Sequence, residues 1–291
     1  MHHNKDMRLN ILMVIAMLTW GLSWTNAKIL GQYADAPLIM VWRFFFASLS
    51  FAPFLQLTND SLQLTKNNIY FILGNALCMV SYNYFYFKGT QIGLAGAGGV
   101  LVTTLNPILT ALFANLIFGS IMQKKDWIGL GLGLIGGAFI IRIWEMDISQ
   151  MVQSGNFFFI SASLSWVCVT IITSRSKDTI PFMAYSFWSF TFACLLSIPI
   201  SMNEDLLIIF NFDHIFWLNL FMLSVLAMSF GTSIYFLASL RLGAKRSSSY
   251  IFLVPLTAMG FAMYLLSEPL LLSTLIGGIL GIIAVYLINK E

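Results

Sequence analysis

One arginine, Arg43, lies in an otherwise apolar stretch and is the residue of this chain best suited to bind an anionic ligand. It follows Pro37 by six residues, which is about 9 Å along a helix. A charge at that depth is costly in lipid, so the side chain is expected to face the protein interior or to reach back to the surface. Its guanidinium group binds a carboxylate through two parallel hydrogen bonds. The alternative is a structural anchor near the membrane surface, paired with Asp35 or Glu268.

Small polar residues at helical spacing form one face in each of two apolar stretches, with tryptophans beside them. Such a face forms either the wall of a substrate cavity or a close contact between helices, and both alternatives remain open. The two faces consist of Thr19, Ser23 and Asn26, and of Ser161, Ser165 and Cys168. The residues expected to bind substrate, besides Arg43, are Trp20, Ser23, Trp24, Tyr82, Asn83, Asn106, Trp166, Trp188 and Tyr235.

Acidic residues and histidines are too sparse within the apolar stretches to predict catalysis or metal binding. Glu268 precedes Pro269 at the end of one stretch and is a candidate for proton coupling, or else a charge that ends a helix. No two carboxylates are paired at helical spacing within a stretch, so a membrane-embedded enzyme acting on a lipid-linked substrate is the weaker alternative. We expect no cofactor and no metal.

The stretches that carry these residues have the composition of membrane spans. Hydrophobic residues make up 58% of the chain and charged residues 9%, against about 25% charged residues in soluble domains. Ten stretches are long enough to cross a bilayer, which predicts an all-α integral membrane protein with ten transmembrane helices. The predicted spans are 9–30, 37–57, 69–88, 92–118, 126–144, 155–174, 181–200, 214–238, 247–266 and 272–289.

Two prolines, Pro107 and Pro255, are 148 positions apart in a chain of 291 residues, which indicates an internal repeat. Glycines downstream of each proline recur at the same offset, and Trp20 has a counterpart in Trp166. Ten spans divide into two sets of five, and an odd number places the second set upside down in the membrane. We expect both prolines to lie in mid-helix and to act as hinges of two inverted five-helix repeats, 1–146 and 147–291.

The distribution of positive charge predicts the orientation of the chain. With the amino terminus inside, eleven of the 15 lysines and arginines face the cytoplasm or lie close to it. The prediction is therefore a multi-pass protein of the inner membrane with both termini in the cytoplasm. The net charge of +3 does not indicate a nucleic-acid partner. The expected partners are the lipid bilayer and a small-molecule substrate, and the chain is expected to be a monomer or a homodimer.

Several short motifs occur in a fixed order along nearly the whole chain. They are Thr19–Trp24, Arg43–Ala47, Leu240–Ala244 and Ser267–Pro269, together with the two prolines and two glycine-rich spans. In this order the motifs resemble the EamA-like permeases of the drug/metabolite transporter superfamily. The resemblance implies a secondary transporter working by alternating access, an exporter or exchanger of a small metabolite such as an amino acid or derivative. It also implies that the fifth and tenth spans lie at the periphery.

The chain departs from that family pattern at one position. Such families often place an acidic residue at the end of the fourth span, where this chain has Gly119 and Ser120. A mechanism that needs two symmetric carboxylates is therefore not expected. The repeat supplies the frame, and substrate choice is expected where the two halves differ.

Overall fold

The computed structural model describes residues 2–57, 62–118, 123–145, 147–176 and 180–289. Within these ranges the chain forms α-helices joined by short connections, several of which are 3₁₀ turns. The α-helices are α1 His2–Leu30, α2 Ala36–Leu49, α3 Ala52–Leu57, α4 Lys66–Ile92, α5 Ala95–Phe118, α6 Lys124–Ile141, α7 Ile148–Gln153, α8 Asn156–Arg175, α9 Phe182–Ser197, α10 His214–Phe221, α11 Ser233–Ser248, α12 Val254–Leu266 and α13 Leu272–Asn289. A π-helix, Met222–Thr232, joins α10 to α11, and 3₁₀ turns occupy Ile143–Glu145, Pro199–Ser201, Leu206–Asn211 and Ser249–Leu253.

The chain is an all-helical, multi-pass membrane protein, as the composition predicted. Five segments in the described ranges are long and apolar enough to cross a bilayer: Arg8–Leu30, Ala95–Ile117, Asn156–Arg175, Phe182–Ser201 and His214–Ala244. Three shorter apolar helices accompany them: Ala36–Leu49, Val254–Leu266 and Leu272–Ala284. Gly119 and Ser120, which follow the predicted fourth span, lie outside the described residues.

The second predicted span, 37–57, is not one continuous helix. α2 ends at Leu49, and α3 begins at Ala52 after a turn of two residues. Pro53 explains the break, because its ring has no N–H and conflicts with the carbonyl oxygen four residues earlier, at Leu49. Ser50 stabilises the turn, since its hydroxyl donates to the carbonyl oxygen of Ala47 at 2.7 Å. A hydropathy pattern detects the apolar stretch and misses this interruption.

The two repeated prolines occupy different helical positions. Pro107 lies inside α5, as expected, whereas Pro255 is in the first turn of α12, directly after the 3₁₀ turn Ser249–Leu253. The prediction of a mid-helix proline is therefore wrong for Pro255. A proline fits the first turn of a helix because the N–H groups there have no partner within the helix. The chain changes its helical winding at Pro255 rather than bending within one α-helix.

Glycines allow α6 and α13 to approach each other closely at the edge of the bundle. A methyl group on Gly136 would meet the carbonyl oxygen of Gly277, and a methyl group on Gly277 would meet that of Gly136. The outward faces of the two helices carry exposed aromatic residues, Trp127 on α6 and Tyr286 on α13. These helices are the predicted fifth and tenth spans, and their glycines serve helix packing.

Candidate functional site

A cavity lies between α1, α2, α4, α5, α8 and the π-helix. Its lining consists of Trp20, Ser23, Trp24, Arg43, Tyr82, Thr103, Asn106, Trp166, Met228 and Thr232. Seven of the ten residues predicted to bind substrate are among them. The volume open to the centre of a water molecule is about 20 Å³, and a site needs about 10–15 Å³ by this measure to hold one water. The walls must therefore separate before a metabolite can enter.

Arg43 is a buried positive charge at the wall of this cavity, with 5% of its surface exposed. Its Nη1 donates to Oδ1 of Asn83 at 2.6 Å, and its guanidinium lies over the rings of Tyr86 and Phe87 at 5.3 and 5.5 Å. Its Nε–H is buried and has no hydrogen-bond partner among the residues that the structure describes. A buried charge with an unused donor destabilises the protein unless a ligand pairs with the charge and accepts the hydrogen bond.

The two carboxylates expected as partners of Arg43 bind other groups instead. Asp35 pairs with Lys88 at 3.2 Å, and Glu268 binds backbone N–H groups of α5. A second ion pair joins Arg142 to Glu145. The expected pairing of Arg43 with Asp35 or Glu268 is therefore wrong.

Aromatic rings form a further part of the cavity wall. Trp20 and Trp166 meet edge to face with ring centroids 5.0 Å apart, and Tyr82 lies 4.7 Å from Trp166. Tyr235 lies behind them, 5.1 Å from Trp20, and supports the wall without lining the cavity. Trp20 also donates from Nε1 to the carbonyl oxygen of Ala227 at 3.0 Å, which holds α1 against the π-helix. The wall combines rigid apolar surface with few polar atoms, as small-molecule sites commonly do.

α5 contributes a polar edge at its proline. Asn106 lies 2.7 Å from the hydroxyl of Ser163, and its amide nitrogen reaches the carbonyl oxygens of Ser163 and Val102 at 3.2 and 3.3 Å in the orientation that satisfies both. Pro107 has no N–H, so the carbonyl oxygen of Thr103 loses its usual helical partner beside the cavity. The Pro107 turn therefore combines a bending point with polar groups at the wall.

Two predicted features lie away from the cavity. Trp188 donates from Nε1 to the carbonyl oxygen of Leu62 at 2.9 Å and stacks on Phe192, so it holds α9 to a loop. In the α8 face, Ser165 meets Ser81 of α4 at 3.0 Å. This part of the face serves helix contact, which was one of its two open interpretations, while Ser23 of the first face lines the cavity.

Glu268 binds the start of α5. Its two carboxylate oxygens accept from the backbone N–H groups of Ala95 and Gly96 at 2.7 and 2.8 Å. A carboxylate is favoured there because the first N–H groups of a helix have no partner within the helix. Lys28 contacts the same region, donating to the carbonyl oxygen of Gly93 at 2.8 Å. Glu268 thus ties the connection between α12 and α13 to α5. It does not line the cavity that contains Arg43, but it lines a separate pocket with Gly96 and Pro269.

This helical membrane frame matches a known family twice along its length. The model described as the EamA-like transporter family matches residues 7–142 and again residues 153–290. The chain belongs to the EamA-like transporter family. It is therefore a membrane transporter of the drug/metabolite transporter superfamily and not an enzyme, which excludes the enzymatic alternative.

Similar transporters occur in Bacillus subtilis and Salmonella typhimurium. The EamA-like chain is 21% identical over 286 residues to the uncharacterized transporter YyaM of Bacillus subtilis strain 168, covering 97% of this chain and 93% of that one. It is 23% identical to a probable amino-acid metabolite efflux pump of Salmonella typhimurium strain LT2, covering 95% and 93%. A crystal structure of another protein superposes with a TM-score of 0.67 at 15% identity, covering 97% of both chains. That structure supports the fold alone.

Sequence reasoning missed three cavity-lining residues of this EamA-like transporter. Thr103 lies three residues before Asn106, on the same helical face, so its spacing was a usable signal. Met228 and Thr232 belong to the π-helix, and their hydropathy does not separate them from lipid-facing neighbours. π-helical segments often occur at functional sites, but only the backbone reveals them.

Proposed function

We propose that this EamA-like protein is a secondary transporter that carries a small carboxylate-bearing metabolite across the inner membrane by alternating access. An amino acid or an amino-acid derivative is the expected substrate, and the protein is an exporter or exchanger. The relative from Salmonella is named a probable amino-acid metabolite efflux pump, which supports both the substrate class and the outward direction. The cavity residues are the proposed substrate-binding residues.

Arg43 is the observation that carries the choice of a carboxylate. Its charge is buried at the cavity wall, its Nε–H has no partner, and Asn83 supplies a neutral acceptor rather than a compensating charge. A substrate carboxylate placed beside the guanidinium would neutralise this charge and accept from the free donor. The surrounding rings of Trp20, Tyr82 and Trp166 suit the apolar part of the same substrate.

The proposed architecture is ten transmembrane helices in two inverted repeats, residues 1–146 and 147–291. The main helix contacts are preserved when each element of the first repeat is exchanged with its counterpart in the second. The counterparts are α1 and α8, α2 and α9, α4 and the segment from the π-helix to α11, α5 and α12, and α6 and α13. α4 packs on α8 while the π-helix packs on α1, and α5 packs on α8 while α12 packs on α1. The pairs α2–α9, α5–α12 and α6–α13 map onto themselves. This exchange supports a two-fold relation between the repeats.

The proposed transport cycle opens and closes the cavity at alternate membrane faces. Pro107 and the change of winding at Pro255 are the proposed hinges, since both interrupt regular helical hydrogen bonding. Glu268 is the proposed coupling residue, because its carboxylate closes the connection after α12 against the start of α5. A proton on Glu268 would weaken that closure, since one carboxylate acceptor would become a donor facing an N–H group.

Ligand stabilisation of the purified protein tests the substrate class. The panel consists of amino acids, the matching carboxamides and the matching decarboxylated amines. At a concentration of about 100 times its Kd, a bound ligand adds about 2.7 kcal/mol to the free energy of unfolding. We expect the acids to raise the unfolding temperature and both sets of analogues to leave it unchanged. Active acids are then tested for flux into vesicles with and without a pH gradient.

Arg43→Lys is the matched variant, because it keeps the charge and removes the planar pair of donors. We expect it to weaken binding of the active acid by about tenfold or more, since hydrogen bonds to charged groups contribute about 1.5–3 kcal/mol. Equal stabilisation by acids and carboxamides would contradict the carboxylate assignment. A flux of the active acid that is the same with and without a pH gradient would contradict proton coupling through Glu268.

A further inference from the structure

Two cysteines from opposite halves of the chain lie side by side where α4 packs against α8. Cys78 of α4 is half-buried, and Cys168 of α8 is exposed on the outer surface of the bundle. The residues that flank them on the two helices contact each other directly. Neither residue lines the substrate cavity, so the proposed binding of a carboxylate does not account for the pair.

The register of the two helices places these thiols opposite each other. Contacts on either side of the pair are Gly74 against Ile172, and Ser81 against Ser165 with hydroxyl oxygens 3.0 Å apart. Cys78 is four residues after the first α4 contact and three before the second, and Cys168 has the mirrored spacing on α8. Residues three and four apart share one helical face. The thiols therefore belong to a continuous seam between antiparallel helices.

We propose that Cys78 and Cys168 form a dithiol site for thiophilic ligands, and that trivalent organoarsenicals are the class that it takes. Two neighbouring thiols on packed helices can both bind one soft atom, as thiol sulfur prefers soft partners. The exposed side of Cys168 opens the pair to a lipid-soluble compound. Phenylarsine oxide combines these properties, being apolar and able to accept two sulfur ligands.

The reaction needs no oxidant. The arsenic–oxygen bond of phenylarsine oxide breaks, and two arsenic–sulfur bonds form in its place. The two thiol protons leave with the oxygen as one molecule of water, and arsenic and sulfur keep their oxidation states. The product is a ring that closes through Cys78, Cys168 and the arsenic atom, and a dithiol competitor reverses it.

The chain contains a natural control for this site. Cys194 of α9 is the third cysteine of the sequence, and its thiol faces the carbonyl oxygen of Val41 at 3.6 Å. The other two cysteines lie opposite each other on α4 and α8, so Cys194 has no thiol partner with which to chelate. A single thiol binds such arsenicals weakly, because the second bond supplies the intramolecular advantage.

Arsenical bridging also has a consequence for transport, which rests on the proposed function. α4 belongs to the first proposed repeat and α8 to the second, so the ring would link elements that alternating access moves relative to each other. Bridged protein is therefore expected to lose most of its flux. Binding is measured separately from flux, so a failed transport assay does not decide whether the dithiol site exists.

Thiol counting with phenylarsine oxide tests the proposal on purified protein in detergent. After incubation, the protein is denatured and its free thiols are labelled with a maleimide. We expect one arsenical per chain, two of the three thiols protected, and release by a dithiol but not by a monothiol. Peptide mass spectrometry of the wild type is expected to place the arsenic between the segments that contain Cys78 and Cys168.

Single substitutions sharpen the result. Cys194→Ser is expected to bind phenylarsine oxide as tightly as the wild type, whereas Cys78→Ser and Cys168→Ser are expected to bind about a hundredfold more weakly or worse. Wild-type affinity in either of the latter two variants would overturn the proposal. Protection of Cys194 or three independent adducts on the wild type would also overturn it, and neither result depends on whether the variants fold.

Discussion

At the scale of single residues, the distinctive feature is that Arg43 is held by an amide and not by an acid. Asn83 accepts from Nη1 at 2.6 Å and orients the guanidinium without neutralising it. A carboxylate at this position would satisfy the charge inside the protein and compete with any anionic substrate. The neutral partner keeps the positive charge available to the cavity.

Asn83→Asp is predicted to separate the stability of the protein from its affinity for substrate. The new carboxylate would pair with Arg43, so the unfolding temperature is expected to stay or rise while affinity for an acid ligand falls by about tenfold or more. Asn75→Asp is the control, because Asn75 is equally buried in α4 but binds Ser189. An unpaired buried charge costs about 3–5 kcal/mol, so the control is expected to lower the unfolding temperature. Unchanged ligand affinity in Asn83→Asp would contradict the role given to Arg43.

Glu268→Gln is predicted to loosen the start of α5. A carboxamide offers one oxygen acceptor where the carboxylate offers two, so the N–H groups of Ala95 and Gly96 cannot both keep their bonds. Loss of a helix cap costs about 0.5–2 kcal/mol, which corresponds to about two- to thirty-fold faster hydrogen exchange of these amides. Exchange measured by mass spectrometry on peptides from α5 checks this. Wild-type exchange in the variant would mean that Glu268 does not close this region.

At the scale of helices, glycine positions decide how closely two elements pack. Gly277→Ala is predicted to destabilise the protein by about 1–3 kcal/mol, because its methyl group would meet backbone atoms of α6. Gly131→Ala is the matched control, since a methyl group at Gly131 meets nothing within 4 Å. Replacing a helical glycine by alanine there is expected to raise the free energy of unfolding by about 0.5–1 kcal/mol. Thermal unfolding of both variants is the measurement, and equal effects would contradict the close contact of α6 with α13.

Helix boundaries show where hydropathy stops being informative. The apolar runs in α1, α5, α8 and α9 predicted the membrane-length segments there to within a few residues, because a bilayer-length run has few alternatives to a helix. The break at Ser50 and the 3₁₀ turn before Pro255 were not predicted as such. Prolines explain both afterwards, but a proline in an apolar run is also compatible with a continuous kinked helix, as Pro107 in α5 demonstrates.

At the scale of the whole molecule, the proposed orientation predicts which loops each side of the membrane presents. Asn203→Cys, between α9 and α10, and Lys66→Cys, at the first residue of α4, each place a thiol at an exposed position. The background has the three native cysteines replaced by serine. A membrane-impermeant maleimide applied to intact cells is expected to label position 203 and to spare position 66 until the membrane is opened. The reverse pattern would contradict cytoplasmic termini.

The sequence by itself determined the membrane class, the internal duplication and most of the cavity residues. Lipid solvation forces apolar runs to be helices, duplication leaves matching prolines and glycines, and polar residues within such runs are costly unless they face the interior. Seven of the ten predicted binding residues therefore line one cavity. Trp188 could not be excluded from sequence, because a tryptophan that supports a loop has the same composition around it as one that lines a site.

Only the tertiary structure decided how the charged groups and thiols are partnered. Arg43 contacts Asn83 and Glu268 contacts the start of α5, over separations of 40 and 173 positions along the chain. The register of α4 against α8 places Cys78 opposite Cys168, which is 90 positions away. Sequence spacing governs contacts within one helix, where residues three and four apart are neighbours. Contacts between helices depend on packing and register, which set the geometry of the cavity, its closure and the dithiol seam.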